Sequence, residues 1–490
     1  MNGTTQLSER RRMAILAICC MSLLIVAMDN TIVNVALPSI RKDLHASLSG
    51  LQWTVDAYTI VLASLLMLAG STADRLGRKR TFQTGLILFA TGSLACSVAP
   101  TLGWLIAARA LQGIGGSMLN PVAMSIITNV FTDPKERSRA IGAWGATVGI
   151  SLALGPIVGG ALTETIGWRS IFWINVPIAL AAVVLTALYV PESRAERPRR
   201  VDPVGQVLVI VALASLTYAI IDGPKASWGS VQTIGLFALA IVSIGGLVRY
   251  ELQRRDPLIE PRFFRSPPFS GATLIAISAF AGFSGFLLLN TLYLQEVRGY
   301  SALDAGLCTL PMAVLAGLFA PISGKVVGSR GARPALLFGG VCMFGAPLLL
   351  TGLTAHTPLA LLLGVYAIYG MGFGSMNPPI TYTAVSGMPD NQAGVAAAVA
   401  STSRQIGQTM GVAVMGSILG TAAGAAAGTG LAKASHPAWW AISGCGAAVL
   451  ALGTVSTGAW ARRTAKRAAA DLRAEPPTHA PQPAPAGGAS

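Results

Sequence analysis

The stretch RRRMAILAICCMSLLIVAMDNTIVNVALP, residues 10–38, decides the class of this protein. After three arginines, residues 13–37 form an apolar run longer than the roughly 20 residues that an α-helix needs to cross a bilayer. A secretory signal peptide is the alternative interpretation, but its apolar core is shorter and would not carry Asp29. We therefore predict a first transmembrane helix whose basic flank stays in the cytoplasm.

The composition of the whole chain agrees with this prediction. Of 490 residues, 53% are hydrophobic and 11% are charged, whereas a soluble domain carries about 25% charged residues. This small number of charged residues cannot cover a water-facing surface. The outer surface of the protein is therefore expected to face membrane lipid. The net charge of +15 does not indicate a nucleic-acid partner, because Lys and Arg form short clusters between apolar runs. The six cysteines lie in apolar runs without metal-ligand spacing, and we predict no metal site.

Apolar runs of sufficient length occur fourteen times, and we number the predicted helices 1–14 in chain order. They cover residues 13–37, 51–73, 81–100, 102–127, 139–163, 169–190, 204–222, 230–249, 270–294, 303–326, 334–353, 358–382, 393–419 and 437–459. This pattern predicts an all-α polytopic membrane protein.

The distribution of Lys and Arg predicts the orientation of these helices. With the N-terminus inside, 27 of these residues fall in inner segments, six in outer segments and two within helices. Because cytoplasmic loops collect Lys and Arg, this bias indicates an even number of spans and both termini in the cytoplasm. We expect residues 1–12 and a disordered tail, 461–490, to be cytoplasmic segments of a multi-pass protein of the inner (cytoplasmic) membrane.

Two strings in distant helices repeat each other. Helix 4 contains GIGGSMLNP at 113–121 and helix 12 contains GMGFGSMNP at 370–378, while the basic loops after helices 2 and 10 show a weaker match. Both matches pair helix n with helix n+8, which predicts a six-helix bundle (13–190), a linker with two inserted helices (191–269) and a second six-helix bundle (270–460). Parallel repeats of this kind place a substrate path between the halves. Chance recurrence of Gly-rich strings is the alternative.

Three ionisable residues lie within the first predicted bundle. Asp29 in helix 1, Asp56 in helix 2 and Arg109 in helix 4 all fall roughly 8–12 Å below the outer ends of their helices, at about 1.5 Å of rise per residue. Because such residues are costly in a membrane, they are candidates for function. We expect them to share a cavity and couple proton movement, since Arg109 can hold a carboxylate charged until a proton displaces it.

Alternatives to this proton-coupling unit stay open. Asp29 and Arg109 could form a static pair that orients helices, and Asp56, nearest the surface, could be solvated. Helix 12 has Tyr366 where the repeat would place Arg109. The path through the second half is therefore predicted to be apolar or polar but neutral.

Helix 5 is unusually rich in glycine. Gly149, Gly155, Gly159 and Gly160 surround Pro156, and glycines at this spacing remove side chains from one face so that a neighbouring helix can approach closely. Pro156 removes one backbone hydrogen bond and can bend the helix. A close, bendable contact suits two halves that rock against each other, and helix packing without motion is the alternative.

The turn GSTADRLGRKR, residues 70–80, joins helices 2 and 3 on the predicted inner side. Its candidate gating residues are Gly70, Asp74, Arg75, Gly77, Arg78 and Lys79. The acid of this turn can pair with an arginine or cap a helix of the other half in one conformation only. A solvated loop acid is the alternative. Arg404 in helix 13 could face the path or the inner surface.

At these residues the chain resembles the major facilitator superfamily, and within it the fourteen-helix drug:proton antiporter branch. DNTIVNVALP at 29–38 resembles the helix 1 motif of that branch, 70–80 its gating motif, RALQG at 109–113 its proton-transfer motif and 149–160 its exporter motif. The resemblance covers about residues 13–460. It implies the major-facilitator fold and a proton-coupled exporter of small drug-like molecules, monomeric and driven by the proton gradient without a cofactor.

The chain departs from the branch in two places. Thr72 stands where a bulky apolar residue is usual, and Asp304 is the one acid within predicted helices 9–14. Branch members that expel dications carry more acids there, so the resemblance implies neutral, zwitterionic or singly charged substrates. A proton-coupled importer on the same fold is the alternative function. We do not expect a membrane enzyme, because the histidines lie in loops or the tail, nor an ATP-driven pump, because no phosphate-binding loop motif is present.

Overall fold

The protein is described by a computed structural model covering residues 8–195, 201–254, 257–386, 388, 392–425, 430–461, 463–465 and 467. Every regular element within these ranges is helical, so the predicted all-α class is confirmed. The predicted cytoplasmic segment 1–12 is described from Ser8 onward, and nearly all of the predicted tail lies outside the described residues.

Each of the fourteen predicted runs overlaps helical structure, and the helices keep the numbers 1–14. Helices 1–5 span Glu9–Asp43, Leu48–Leu76, Arg78–Ser97, Leu102–Val130 and Pro134–Thr165. Helices 7, 8, 9, 11 and 13 span Pro203–Ala226, Val231–Glu251, Pro267–Leu292, Ala332–Leu348 and Ala393–Ala425. By length and composition, ten helices of the described chain could cross a membrane, so the total of fourteen spans stays a prediction.

Four helices are interrupted close to a proline. Helix 6 comprises Ser170–Trp173 and Asn175–Tyr189, helix 10 Ala302–Cys308 and Leu310–Arg330, helix 12 Leu359–Gly374 and Asn377–Val385, and helix 14 Gly430–Ala434 and His436–Ser456. Each first piece ends three or four residues before Pro177, Pro311, Pro378 or Pro437. Proline cannot donate a hydrogen bond to the carbonyl four residues earlier, and this explains where the pieces end.

The glycines of the repeated strings make equivalent contacts in the two halves. A Cβ added to Gly113 of helix 4 would meet helix 2, and one on Gly370 of helix 12 would meet helix 10. A Cβ on Gly115 would meet helix 3, and one on Gly372 would meet helix 11. These contacts follow the predicted pairing of helix n with helix n+8.

Most contacts between helices stay within the first six or the last six. Helix 1 packs on helix 5, helices 2 and 3 pack on helix 4, helix 9 packs on helices 13 and 14, and helix 10 packs on helix 12. The inserted helices 7 and 8 pack on each other, and helix 7 also contacts helices 2 and 13. The inserted pair therefore sits against one seam between the halves. The predicted domain boundaries themselves stay predictions.

Candidate proton-coupling site and transport path

A buried ion pair joins helices 1 and 4. Nη1 of Arg109 lies 2.5 Å from Oδ2 of Asp29, and the two side chains are 1% and 0% exposed. An isolated charge at this depth would be strongly destabilising, so each of these charges is tolerated because the other is beside it. The sequence placed these two residues at one depth, and the structure brings them into contact.

Hydrogen bonds hold both members of the pair in place. The amide nitrogens of Gln112 and Asn175 donate to Oδ1 of Asp29 over 2.8 and 3.3 Å. Nε of Arg109 donates to the carbonyl oxygen of Thr54 (3.0 Å), and its Nη1 also donates to Oε1 of Gln112 (2.7 Å). Asn175 begins the second piece of helix 6, so the break in that helix positions it. Sequence reasoning assigned no role to either amide, although Gln112 follows Arg109 by three residues and shares its helix face.

Aromatic rings close the remaining sides of the guanidinium. Cζ of Arg109 lies 4.3 Å from the ring centroid of Tyr58 and 5.7 Å from that of Phe172, where the ring faces attract a cation. Asp29 and Asp56 are both fully buried in this conformation. The expectation that the two acids and Arg109 share a cavity is therefore wrong for this conformation, because packed side chains fill the space around the pair.

Asp56 lies on a different face of helix 2, towards helix 13. One turn before it, Nε2 of Gln52 donates to the carbonyl oxygen of Ala413 (2.9 Å). Three residues after it, the hydroxyl of Thr59 accepts a hydrogen bond from that of Thr409 (2.9 Å). Neither oxygen of Asp56 has a hydrogen-bond partner among the described residues. The alternative of a solvated Asp56 is wrong, since the side chain is enclosed at a contact between the halves.

Helices 5 and 10 approach closely across the same seam, but only along part of their length. From the predicted outer end inward, the close contacts pair Gly160 with Ala302, Pro156 with Gly306 and Gly149 with Gly317. Further inward, nothing lies within 4 Å of the Cβ position of Gly142 or Gly145 on helix 5, or of Gly324 or Gly328 on helix 10. The two helices therefore touch at the predicted outer side and separate towards the inner side.

The remaining glycines of helix 5 face helix 1 instead. A Cβ on Gly159 would lie 2.6 Å from Ile32, and one on Gly155 would collide with the hydroxyl of Thr31. We predicted that the glycines remove side chains from one face of helix 5. In the structure they remove side chains from two faces. One face packs on helix 1 of the same half, and the other packs on helix 10 of the other half.

Polar contacts strengthen the closure at the predicted outer side. Nη1 of Arg41, in the last turn of helix 1, lies 2.9 Å from Oε2 of Glu296, which follows helix 9. Nε2 of Gln295 donates to the carbonyl oxygen of Val35 over 2.8 Å. At the opposite end of helix 2, nothing lies within 4 Å of the Cβ position of Gly70. The close contacts between helices 5 and 10 and the polar contacts between helices 1 and 9 therefore lie at the predicted outer side.

A small cavity, with room for about one water molecule, lies where helices 1, 5, 9 and 10 meet. Its walls are Thr31, Leu152, Pro156, Phe283, Leu287, Met312, Ala313 and Ala316. Thr31 supplies the one polar side chain of this set. The neutral path through the second half stays a prediction. Because Thr31 follows Asp29 by two residues, helix 1 contacts the ion pair on one face and the cavity on another.

The predicted gating turn is shorter than expected. Helix 2 continues to Leu76, and the chain reverses at Gly77, whose φ of 112° favours glycine. Oδ1 of Asp74 lies 3.5 Å from Nη2 of Arg78, so the acid pairs with an arginine of its own turn, while Arg75 is exposed. A gating role for these residues stays a prediction.

An acid that sequence reasoning missed anchors this turn. Oε1 of Glu192, just after helix 6, accepts a hydrogen bond from the backbone nitrogen of Lys79 (3.1 Å) at the start of helix 3, where negative charge is favourable. Its carboxylate fills the space that a side chain on Gly77 would need. The ammonium group of Lys79 donates to the carbonyl oxygen of Ala187 (2.8 Å). The sequence did hold one signal for this contact: Glu192 follows predicted helix 6 on the predicted inner side, where the basic turn 70–80 also lies.

The second half has a neutral counterpart of the ion pair. The hydroxyl of Tyr366 on helix 12 donates to Oδ1 of Asn290 on helix 9, and both side chains are buried. These are the helices that the repeat pairs with helices 4 and 1. Nη2 of Arg404 donates to the hydroxyl of Thr381, so Arg404 packs against helix 12, with no acidic partner among the described residues.

The fold, closed at one end around a buried charge pair, defines a secondary transporter that alternates access between two sides of a membrane. The model of the Major Facilitator Superfamily matches residues 19–412. The chain belongs to the major facilitator superfamily, and the resemblance to its drug exporters is confirmed.

Similar proteins include several exporters. The chain is 38% identical to the multidrug resistance protein Stp of Mycobacterium tuberculosis over 81% of this chain and 74% of that one. It is 36% identical to the methylenomycin A resistance protein of Streptomyces coelicolor (79% and 82%) and 35% to the multidrug efflux pump LfrA of Mycolicibacterium smegmatis (84% and 82%). An inward-facing bacterial homolog of Spinster shares the fold with a TM-score of 0.63 and 16% identity over 96% of this chain and 100% of that one.

Proposed function

We propose that this protein exports small drug-like molecules across the cytoplasmic membrane of a bacterium in exchange for protons. Its similarity to proteins named for multidrug resistance, antibiotic resistance and drug efflux supports the export of such compounds. The Asp29–Arg109 pair carries the proposal of proton coupling, because a buried acid held by a permanent cation is a group that a proton can release.

The coupling runs through helix 1. In the described conformation Asp29 is bound to Arg109, and the packed shell leaves both side chains buried. When the outer side opens, a proton reaches Asp29 and weakens its bond to Arg109, which keeps its hydrogen bonds to Gln112 and the Thr54 carbonyl. Helix 1 is then less tightly held to helix 4. Because Thr31 of the same helix lines the small cavity between the halves and contacts Gly155 of helix 5, this change reaches the contact between the halves.

Asp56 is proposed as a second proton site. With the outer side closed, its unpartnered carboxyl group is enclosed between helices 2 and 13, where the neutral form is favoured because burial penalises a lone charge. Opening of the seam exposes the group to water and allows it to ionise. The proton on Asp56 therefore favours closure of the outer side.

The scarcity of acids in the second half supports a substrate class. Asp304 is the one acid within predicted helices 9–14, so neutral, zwitterionic or singly charged molecules are favoured over dications. We propose that the protein works as a lipid-embedded monomer with both termini in the cytoplasm, and that the proton gradient drives it without a cofactor.

Drug susceptibility of a sensitive host tests this function. We expect wild-type protein to raise the growth-inhibiting concentration of some compounds in an antibiotic panel, and Asp29→Asn to abolish that effect at equal membrane expression. Asp304→Asn is the matched control, because Asp304 is exposed near the predicted outer end of helix 10. Equal protection by wild type and Asp29→Asn would refute coupling through Asp29, and greater drug sensitivity with faster uptake would indicate an importer.

A further inference from the structure

Two acids outside the transport path meet at the base of the inserted helices. Asp202 precedes the first residue of helix 7, and Glu251 is the last residue of helix 8. Their side chains come from positions 49 residues apart, yet both are nearly inaccessible, at 3% and 2% exposed. Neither residue takes part in the proposed export mechanism.

Each acid has one oxygen that is bonded and one that is not. Oδ1 of Asp202 accepts hydrogen bonds from the backbone nitrogen of Gly205 (2.9 Å) and from Nη1 of Arg254 (3.0 Å). Oε2 of Glu251 accepts from the backbone nitrogen of Leu258 (2.8 Å). Oδ2 of Asp202 and Oε1 of Glu251 have no partner in the described part of the chain.

The two unbonded oxygens point into the same small space. A Cβ on Gly205 would lie 2.5 Å from Oδ2 of Asp202 and 2.6 Å from Oε1 of Glu251, so these oxygens are at most about 5 Å apart. Position 205 must lack a side chain for both carboxyl groups to fit. The space is therefore shaped around the two acids.

Among the described residues, the charges bonded at this space do not balance without a proton. Arg254 is the one cation bonded to the acids among the described residues, and its side chain is 23% exposed. The nearby Glu260 and Arg262 bond to each other. Residues 255 and 256 lie outside the described residues. Two carboxylates and one guanidinium leave a net negative charge in a buried site, and one proton removes it.

Among the described residues, the surfaces of helices 2 and 13 that pack near this end of helix 7 are apolar or neutral. Helix 2 presents Ser64, whose carbonyl oxygen accepts a hydrogen bond from Nε2 of Gln206 (2.5 Å). The neighbouring surfaces of helices 2 and 13 contribute Ile60, Ala63 and Ile406. Arg249 and Tyr250 belong to helix 8 itself. Arg249 is exposed, and the hydroxyl of Tyr250 accepts a hydrogen bond from Arg254.

We propose that Asp202 and Glu251 form a proton-binding site that shares one proton between Oδ2 and Oε1. Two carboxyl groups this close cannot both ionise without strong repulsion, and a shared proton converts the repulsion into a hydrogen bond. That bond clamps the start of helix 7 to the end of helix 8. Loss of the proton separates the acids, opens the base of the inserted pair and loosens the contact of Gln206 with helix 2.

The expected pH dependence follows from proton binding. The folded protein holds a proton that the same acids release when unfolded, so its stability falls as the pH rises above the pKa of the unfolded acids and levels off once the folded site has deprotonated. Since the site is predicted to lie on the inner side, it would sense the pH of the cytoplasm. It would act through the seam between helices 2 and 13.

Infrared spectroscopy and thermal unfolding of the purified full-length protein test this proposal. At mildly acidic pH we expect wild type to show a carbonyl band of a protonated carboxyl group that Glu251→Gln and Asp202→Asn lack, and that fades as the pH rises. We expect the Tm of wild type to fall as the pH rises towards the range in which the band fades and to level off above it, and Glu251→Gln to lose at least half of that fall. Glu260→Gln, in the same connector, should retain both properties.

Two results would overturn the proposal. One is a carbonyl band and a pH-dependent Tm in Glu251→Gln that match wild type. The other is a difference spectrum, wild type minus Asp202→Asn, that shows no band of a protonated carboxyl group at any pH. This second measurement can be made even if Glu251→Gln fails to fold. Neither result depends on drug export, so the proposed function stands or falls separately.

Discussion

A methyl group added at position 160 should move the protein towards its outward-open conformation. Gly160 lies on helix 5 where it meets helix 10 at the predicted outer side. In the described conformation a Cβ there would be 2.5 Å from the carbonyl oxygen of Ala302 and 2.7 Å from Cα of Leu303. Both are backbone atoms, so no side chain can rotate away. The helices must separate to accept Gly160→Ala.

The size of the effect follows from that overlap. Ordinary contacts of a Cβ begin at 3.4 Å, so the backbone of helix 10 has to retreat by roughly 1 Å. Overpacking of this kind costs about 1–3 kcal/mol. The cost applies only while the outer side is closed, because the helices are apart in the other conformation. We therefore expect the ratio of outward-open to outward-closed protein to rise about 5- to 150-fold.

Distances between spin labels measure this ratio directly. Labels at Thr165 and Leu307, which are exposed on helices 5 and 10, would be attached after replacement of the six native cysteines. Gly160→Ala should move the population to longer distances. The control is Gly145→Ala on the same helix, where nothing lies within 4 Å of the Cβ position and the gain in helix propensity is the same. Identical distance distributions for both variants would refute the reasoning.

Two further variants address the outer closure and the second half. Glu296→Gln removes the ion pair with Arg41, in which the Arg41 side chain is 43% exposed and that of Glu296 is 25% exposed. Exposed pairs contribute about 0.2–1 kcal/mol, so the same labels should show at most about a fivefold shift towards the outward-open form. The absence of any shift at low salt would show that this pair does not hold the outer side closed. Tyr366→Phe leaves Oδ1 of Asn290 without its donor and should lower stability by about 1–3 kcal/mol, measured by thermal unfolding. Because that pair is neutral, drug-induced proton flux should continue, and loss of the flux would contradict confinement of proton chemistry to the first half.

The ion pair was predictable because depth along a helix depends on residue number alone. At a fixed rise per residue, Asp29 and Arg109 had to lie at similar depths, and a buried charge requires a partner. Which neighbouring helix a side chain faces depends in addition on how the whole helix is rotated against its neighbours, and residue number does not fix that rotation. For that reason Asp56, at a similar depth, was wrongly expected to share a cavity with the pair, whereas it faces helix 13.

The hydrogen-bond shell was not predictable in the same way. Asn175 lies far from Asp29 in the sequence and reaches it because helix 6 is interrupted before Pro177. Proline spacing was visible in the sequence and explains the break. It does not specify which residue the break turns towards the ion pair. Likewise, Asp202 and Glu251 belong to different helices, and only the packing of those helices brings their carboxyl groups around Gly205.

The geometry of helix 1 gives a reason for protons and substrate to compete although their sites do not touch. Asp29 is bonded to helix 4 and helix 6, while Thr31, two residues on, faces the cavity and Gly155 of helix 5. Residues two apart lie on nearly opposite faces of a helix. Any shift of helix 1 that follows release of Arg109 must therefore move the cavity wall. It must also act on helix 5, which the glycines hold in contact with helix 1 on one face and helix 10 on the other. A proton at Asp29 is thus linked through packed backbone to the contact that closes the outer side.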